Sequence, residues 1–297
     1  MQNYFSCSMN ILITGSYGQL GSEIRTLYTK KAGEHHFIFT DVDTLDICDE
    51  TAVSDFFAAH KIDLVVNCAA YTAVDKAESD TDKCRQINSL AVRNLMSAAK
   101  RHGARIIHIS TDYVFDGTAH KPYVETDRIA PQSVYGSTKA EGEAILLDNY
   151  ADGSIIIRTS WLYSTFGNNF VKTMLRLGKE RKELSVVFDQ VGSPTNAADL
   201  AEAILSIVCS DRFEGGVYHY SNEGVCSWYD FAEAIFRLSG YSTQLHPIRS
   251  SEYPTRAERP HYSVLDKARV REAFGITIPH WRTALEECLQ LTASLPE

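Results

Sequence analysis

A short β-branched run, Asn10-Ile11-Leu12-Ile13-Thr14, leads straight into Gly15-Ser16-Tyr17-Gly18-Gln19-Leu20-Gly21. From Leu20 the apolar residues recur at helical spacing through Ile24, Leu27 and Tyr28. Few architectures accommodate that order. A strand, glycines three apart and then a helix bring backbone N–H groups to a helix N-terminus with no side chain in front of them, which is a seat for an anion. The Gly-x-x-Gly-x-x-Gly spacing of Gly15, Gly18 and Gly21 therefore predicts a βα turn shaped for a pyrophosphate; a tight turn without a ligand is the competing reading.

The alternation continues. His36-Phe37-Ile38-Phe39-Thr40 reads as a second strand and ends in Asp41, about where a dinucleotide fold places the residue that reads the adenosine ribose. A carboxylate there favours a free 2′-hydroxyl and repels a 2′-phosphate, so bare electrostatics lean to NADH over NADPH. Asp46 followed by Ile47 suits an adenine amino group and ring, or a surface turn. Asp63 to Asn67 is a third strand, with Asn67 able to fix a turn, and the small residues Cys68, Ala69 and Ala70 leave room for a cofactor backbone. Thr81 to His102 carries one long amphipathic pattern containing Asn88, with Gly103 as its stop. Strand and helix in repeated order predict an α/β fold, a Rossmann-like doubly wound parallel sheet whose ligand crevice lies at the strands' carboxyl ends.

With 297 residues, 44% of them hydrophobic and 23% charged, the chain can build one large domain or two packed ones. It contains no apolar run near the roughly 20 residues of a membrane span, and Met1 to Met9 lacks the basic start and apolar core of a signal peptide. The fold is expected to begin at Met9, with residues 1–8 as an extension. A net charge of -9 argues against nucleic acid as the main partner. The seven cysteines are odd in number and form no Cys-x-x-Cys pair, and the ten histidines show no metal spacing. Reduced thiols in a cytoplasmic protein are expected, with neither disulfides nor structural zinc.

The chemistry concentrates between Ser110 and Lys139. Arg105-Ile106-Ile107-His108-Ile109 is a short β-branched strand closed by Ser110 and Thr111, which stand at its carboxyl edge. Farther on, Tyr135 and Lys139 are four apart in a proline-free stretch rich in helix formers, so phenol and ammonium share a helix face. A nearby cation stabilises phenolate and brings a tyrosine toward working pH as a general acid or base.

Beyond Tyr150 the character changes. Ser154 to Arg158 is one more buried strand, and Phe170 opens a helix through Met174, Leu175 and Leu177. A turn-rich loop follows at Asp189 to Thr195. Tyr253 to Pro260 sets Arg256 and Arg259 among prolines, which suits an anionic ligand or a solvated linker. Residues 9–160 thus read as the dinucleotide-binding domain. Residues 161–297 read mainly as a smaller α+β substrate region, with some segments returning to the first domain.

With the glycine turn, Thr111, Tyr135 and Lys139 assembled, the chain resembles the extended short-chain dehydrogenase/reductase family, specifically its reductases of dTDP-sugars, over residues 9 to about 290. The long segments Asn67 to Glu78, Ser110 to Gly117, Arg158 to Trp161, Gly167 to Phe170 and Arg259-Pro260 carry the likeness. The resemblance implies NAD(P)H-dependent reduction of the C4 keto group of dTDP-4-dehydro-L-rhamnose, a step toward cell-surface polysaccharide. It assigns Tyr135 as proton donor, Lys139 to the nicotinamide ribose and Thr111 to the carbonyl oxygen. Gly18, Gln19 and Leu20 line the pyrophosphate, Asp41 the ribose, Asp46 and Ile47 the adenine, and Ala70, Tyr71 and Thr72 the middle of the cofactor. Asp112, Tyr113, Trp161, Asn168 and Arg259 fall to the sugar nucleotide, although a buried core indole fits Trp161 equally well.

Dehydratases of this family carry Asp-Glu after the threonine, and here Asp112 is followed by Tyr113, so the acid for elimination is missing. Some relatives bind magnesium through glutamates; Glu23 matches the first position, but the second falls near Ala198 with only Asp199 adjacent. Neither the metal nor a metal-linked dimer is therefore supported, while a homodimer stays compatible with the sequence. The other readings are a reductase or epimerase of another nucleotide sugar, and a non-catalytic NAD(P)-binding regulatory subunit like that of methionine adenosyltransferase.

Overall fold

The computed structural model describes residues 8–31, 35–210 and 212–294, so residues 1–7 of the expected extension lie outside the described residues. Its centre is a six-stranded sheet built from β1 (Asn10–Thr14), β2 (His36–Phe39), β3 (Leu64–Asn67), β4 (Arg105–Thr111), β5 (Ser154–Thr159) and β6 (Gly216–His219). All neighbours pair in parallel, in the spatial order β2-β1-β3-β4-β5-β6. The first crossovers place β2 on one side of β1 and β3 on the other. The order therefore reverses between β1 and β3, and that switch point is where a crevice opens in such sheets.

The two-residue period of the strands sorts their side chains. Ile11, Ile13, Val66, Ile107, Ile155 and Ile157 face one side, where they pack with α1 (Gln19–Lys31) and the helix Ala197–Val208. Leu12, Val65, Ile106 and Ile156 face the other, against Phe57, Leu95 and Leu146 of the helices there. Both faces are covered, which is why these strands read as almost unbroken apolar runs. Late segments rejoin the sheet domain: β6 pairs with β5, and Ala197–Val208 lies beside α1.

The remaining segments gather around a third core of Tyr163, Val171, Met174, Phe231, Ile235, Trp281 and Leu285. Its strands are short pairs, among them Glu183–Val187 with Gln244–Ile248 and Leu162–Tyr163 with Thr195–Asn196. Asn169 stitches this region to the sheet domain. Its side chain caps the helix Phe170–Glu180 by accepting from Lys172 N–H (3.0 Å) and donates to Gln19 Oε1 of the glycine turn (2.9 Å).

One sequence expectation changes. Residues 81–102 do not form one regular helix, because a π-helical turn at Gln86–Leu90 interrupts them. Such wide turns cluster at functional sites, and this one aims Asn88 inward.

Candidate active site

The cleft at the switch point has two lobes of about 500 Å³ each, and both are walled by Gly15, Gly18, Cys68 and Ala70. One lobe runs out over Asp41, Asp46 and Ile47. The other holds Gln19, Leu20, Gly21, Thr72, Thr111, Asp112, Tyr113, Tyr135, Lys139, Trp161 and Asn168. Residues far apart in sequence thus meet in one continuous space.

The three glycines of the turn do different things. Gly15 has φ +62°, and a Cβ there would stand 2.7 Å from Ala69 Cα, so the turn presses against the β3 loop. Gly21 is closed off by the turn itself, since a Cβ there would stand 2.5 Å from Gly15 O. A Cβ on Gly18 would meet only Gly15 O, at 3.2 Å, which leaves that side open to the cleft. The first turn of α1 carries no acid, so the orphan N–H groups of the helix start face no negative charge of their own. This cradle fits a pyrophosphate. Gly15→Ala is expected to cost about 1–3 kcal/mol through strain at a positive φ, read as a lower urea midpoint at unchanged slope.

Asp41 accepts from Tyr17 N–H with Oδ2 and from Val42 N–H with Oδ1, both at 2.9 Å. Its carboxylate is thereby held at the mouth of the first lobe. Asp46 accepts from Cys48 N–H, and Ile47 is buried beneath. Tyr71 lines neither lobe: Asn88 accepts its N–H (2.8 Å) and donates to its carbonyl (3.1 Å), while the phenol turns to Asp80. Asn88 also donates to Thr138 and so ties this loop to the helix of Tyr135. The sequence marked Asn88 only as part of a helical pattern.

The helix Val134–Tyr150 is capped by Ser133, whose hydroxyl accepts from Gly136 N–H (3.1 Å). A Cβ on Gly136 would fall 2.2 Å from Tyr113 O. Only glycine lets the helix start press this close to the 3₁₀ turn Asp112–Val114 that follows β4. Tyr135 consequently stands edge-on to Tyr113, with ring centroids 5.4 Å apart, and its hydroxyl comes close to that of Thr111. Burial raises the Tyr135 phenol above the ordinary tyrosine range; the Thr111 hydroxyl opposes that rise and the nearby Asp112 adds to it. One turn on, Lys139 Nζ donates to Ile109 O (2.6 Å) and contacts His108 Nε2 (3.2 Å). Burial brings its ammonium down to about 8, with Glu143 resisting. The lysine therefore spends its hydrogen bonds on β4 in this state.

Asp112 is 3% exposed, and burial pushes its carboxyl up to about 7 despite the Thr111 hydroxyl that donates to Oδ1 (2.9 Å). Ser263 lies close enough to ease that charge, but Oδ2 has no hydrogen bond of good geometry among the described residues. That oxygen is shut off from solvent, so its missing bond adds to the cost of holding the charge. The sign of its linkage is definite. A folded pKa raised above the unfolded ~3.9 means that the native state holds the extra proton between those values. The penalty is absent below about pH 4, grows by about 1.4 kcal/mol per pH unit, and is complete above the folded value of about 7. Asp112→Asn is expected to remove that loss of stability with rising pH, as urea unfolding at a series of pH values will show.

Trp161 has φ +49°, a left-handed backbone rare for a large side chain, and its indole stacks on Trp228 with centroids 3.6 Å apart and planes at 11°. The strain sits where the indole lines the cleft. Nothing in the sequence pattern marked Trp228. Asn168 is exposed on the rim. Arg259 lies outside both lobes: it donates to Asp75 Oδ2 (2.5 Å) and to the Tyr113 hydroxyl (3.0 Å) and clasps the loop 253–262 to the sheet domain. Its guanidinium is engaged in an internal ion pair with Asp75.

The residues do not fit the magnesium site implied by the resemblance. Glu23 accepts from Ser164 and burial raises its carboxyl; Asp199 accepts from Asn222 and is pushed up to about 6, mainly by burial. Burial thus works against charge on both acids, and no three metal-ligating side chains are grouped among the described residues.

The sheet order, the glycine cradle and the cleft define a Rossmann-type dinucleotide-binding protein. The chain belongs to the family described as RmlD substrate binding domain, whose model matches residues 9–294. It is 44% identical to the spore coat polysaccharide biosynthesis protein SpsK of Bacillus subtilis, over 96% of this chain and 98% of that protein. It is 42% identical to dTDP-4-dehydrorhamnose reductase of Aggregatibacter actinomycetemcomitans, over 93% and 97%. The crystal structure of dTDP-4-dehydrorhamnose reductase from Bacillus anthracis in complex with NADP superposes with a TM-score of 0.91 at 38% identity, covering 96% of this chain and 99% of that one. No helix among the described residues is long and apolar enough to cross a membrane.

Proposed function

We propose that the protein reduces the C4 keto group of dTDP-4-dehydro-L-rhamnose to the alcohol, using NADPH or NADH. The observation that carries this reading is the neighbouring hydroxyl pair Thr111 and Tyr135, which line the lobe that continues from the glycine cradle. A nicotinamide held in this cleft would supply the hydride. Tyr135 delivers a proton to the carbonyl oxygen, and Thr111 donates a second hydrogen bond to the charge that develops there. The glycine turn and α1 hold the pyrophosphate, Asp41 the adenosine ribose, and Lys139 the nicotinamide ribose.

Asp112, which lines the same lobe, binds a sugar hydroxyl, and the Trp161–Trp228 stack gives the sugar ring an apolar wall. Tyr113 stands where an eliminating acid is required in a dehydratase, so the site reduces without removing water. The names of the relatives and the NADP complex agree with this assignment.

The test is a titration of purified protein with NADPH and NADH against a panel of 4-keto nucleotide sugars, following loss of nicotinamide absorbance. Oxidation with the dTDP-4-dehydro-L-rhamnose substrate above all others supports the assignment. Turnover only with a different base or sugar moves it to another nucleotide-sugar reductase, and binding of NADPH with no turnover on any member of the panel overturns it.

A further inference from the structure

A line of buried polar groups runs beneath the cleft from β1 to Lys139. Thr14 donates to Asn67 Oδ1 (2.7 Å), Ala69 N–H donates to the same oxygen (3.2 Å), Asn67 Nδ2 meets His108 Nδ1 (3.0 Å), and His108 Nε2 meets Lys139 Nζ (3.2 Å). Asn67 is 1% exposed, His108 0% and Lys139 1%.

Hydrogen-bond polarity in this line is determined from one end. A backbone N–H can only donate, so the Ala69 contact fixes which atom of the Asn67 amide is oxygen. The amide nitrogen therefore faces His108, and Nδ1 must accept. Burial, with the adjacent Lys139, holds the imidazole well below its ordinary range and hence neutral. A neutral imidazole that accepts at Nδ1 carries its hydrogen on Nε2. That N–H points at Lys139. An amine can accept it through its lone pair while still donating to Ile109 O; an ammonium has no lone pair and meets donor against donor.

We infer that His108 is a positioning residue for Lys139: locked by Asn67 as the Nε2–H tautomer, it stabilises the free-amine form of the lysine. The lowered ammonium of Lys139 agrees with this. The other groups that face the lysine are Glu143 on its own helix, Cys84 from the helix Thr81–Arg85 and Cys68 at the end of β3. All three favour the charged form, and Glu143 is itself occupied by Arg158 of β5 and Ser110 of β4. Desolvation opposes them, and the inferred His108 donor adds to it. The inference concerns the charge of Lys139 in the cofactor-free protein and stands whether or not the sugar assignment above holds.

The test uses ¹⁵N-histidine-labelled full-length protein, with the His108 signals assigned by their loss in His108→Gln. The expected spectrum has an unprotonated Nδ1 and a protonated Nε2 from pH 5 to 9. Asn67→Asp is the informative variant. A carboxylate still accepts from Ala69 N–H but can only accept at Nδ1, so the tautomer should invert and the Lys139 amine signal, followed by ¹⁵N-lysine labelling, should titrate at least one pH unit higher. The substitution also adds negative charge, which moves the titration the same way; the tautomer inversion is the signature that charge alone does not give. An Nδ1–H tautomer in the natural protein, or an imidazole that titrates near pH 6.5, overturns the inference. If Asn67→Asp does not fold, the natural protein's spectrum decides alone.

Discussion

Replacing Tyr135 by phenylalanine is expected to lower kcat by roughly three orders of magnitude, within the ~10²–10⁴-fold that a positioned proton donor contributes. The reasoning begins with what the substitution leaves alone. The variant keeps the ring that meets Tyr113 edge-on, and the cradle at Gly15 to Gly21 is formed by other elements. Cofactor affinity, measured by nicotinamide fluorescence, should therefore stay within about twofold, and KM should move far less than kcat, because the lost interaction forms with the transition state. Thr111→Val should also lower kcat. The two hydroxyls are neighbours aimed at the same substrate oxygen in the proposed reaction, so the double variant should fall short of the product of the two losses. If Tyr135→Phe keeps a tenth of the activity or more, the proton comes from elsewhere, and Asp112 is the buried acid next to Thr111 that would have to supply it.

How much of this site was legible in the sequence depends on where each signal lies. The glycine turn, the apolar strands and the parallel sheet were readable because each rests on local spacing: two for strands, three for the glycines, and the order of elements. Thr111 and Tyr135 were readable as residue types at the end of a strand and the start of a helix, and the structure brings them together through the glycine at 136. The partners that orient them were not. Asn88 became useful only through a π turn that helical periodicity does not reveal, and Arg259 was drawn off by Asp75, 184 residues away in sequence.

Lys139 is the instructive case. Spacing of four put it on the face of Tyr135, yet the burial of that face sent its nitrogen to the carbonyl of Ile109. His108, in the middle of an apolar strand, looked like a strand residue and nothing more. A polar group inside a sheet shows its purpose only when its neighbours across the strands are known.

The same helix predicts the largest effect on stability. Arg158→Met is expected to destabilise the fold by about 3–5 kcal/mol, because it strands a buried carboxylate. Arg158 is 1% exposed and Glu143 0%. The guanidinium donates to Glu143 through Nη2 (2.7 Å) and Nε (3.0 and 3.2 Å), reaches the Glu125 carbonyl (3.4 Å) and lies over the Phe115 ring at 5.0 Å. The Ser110 hydroxyl donates to the same carboxylate at 2.5 Å. Removing the arginine leaves Glu143 with that hydroxyl as its remaining bond.

Removing both charges is a different experiment. Exchanging a buried pair for apolar residues of similar volume is often neutral or better, since neither ion then has to be desolvated. Arg158→Met with Glu143→Leu should thus recover most of the lost stability in urea unfolding, and the interaction term of the double-mutant cycle should carry the size of the single loss.

Activity should not recover with it. Glu143 lies one helical turn beyond Lys139, and its bonds to Ser110 of β4 and Arg158 of β5 hold the helix that presents Tyr135 to Thr111. Leucine restores the packing but not those bonds, so kcat in the double variant is expected to remain at least tenfold below that of the natural protein. Full recovery of kcat along with stability would mean that the ion pair holds the fold and nothing more.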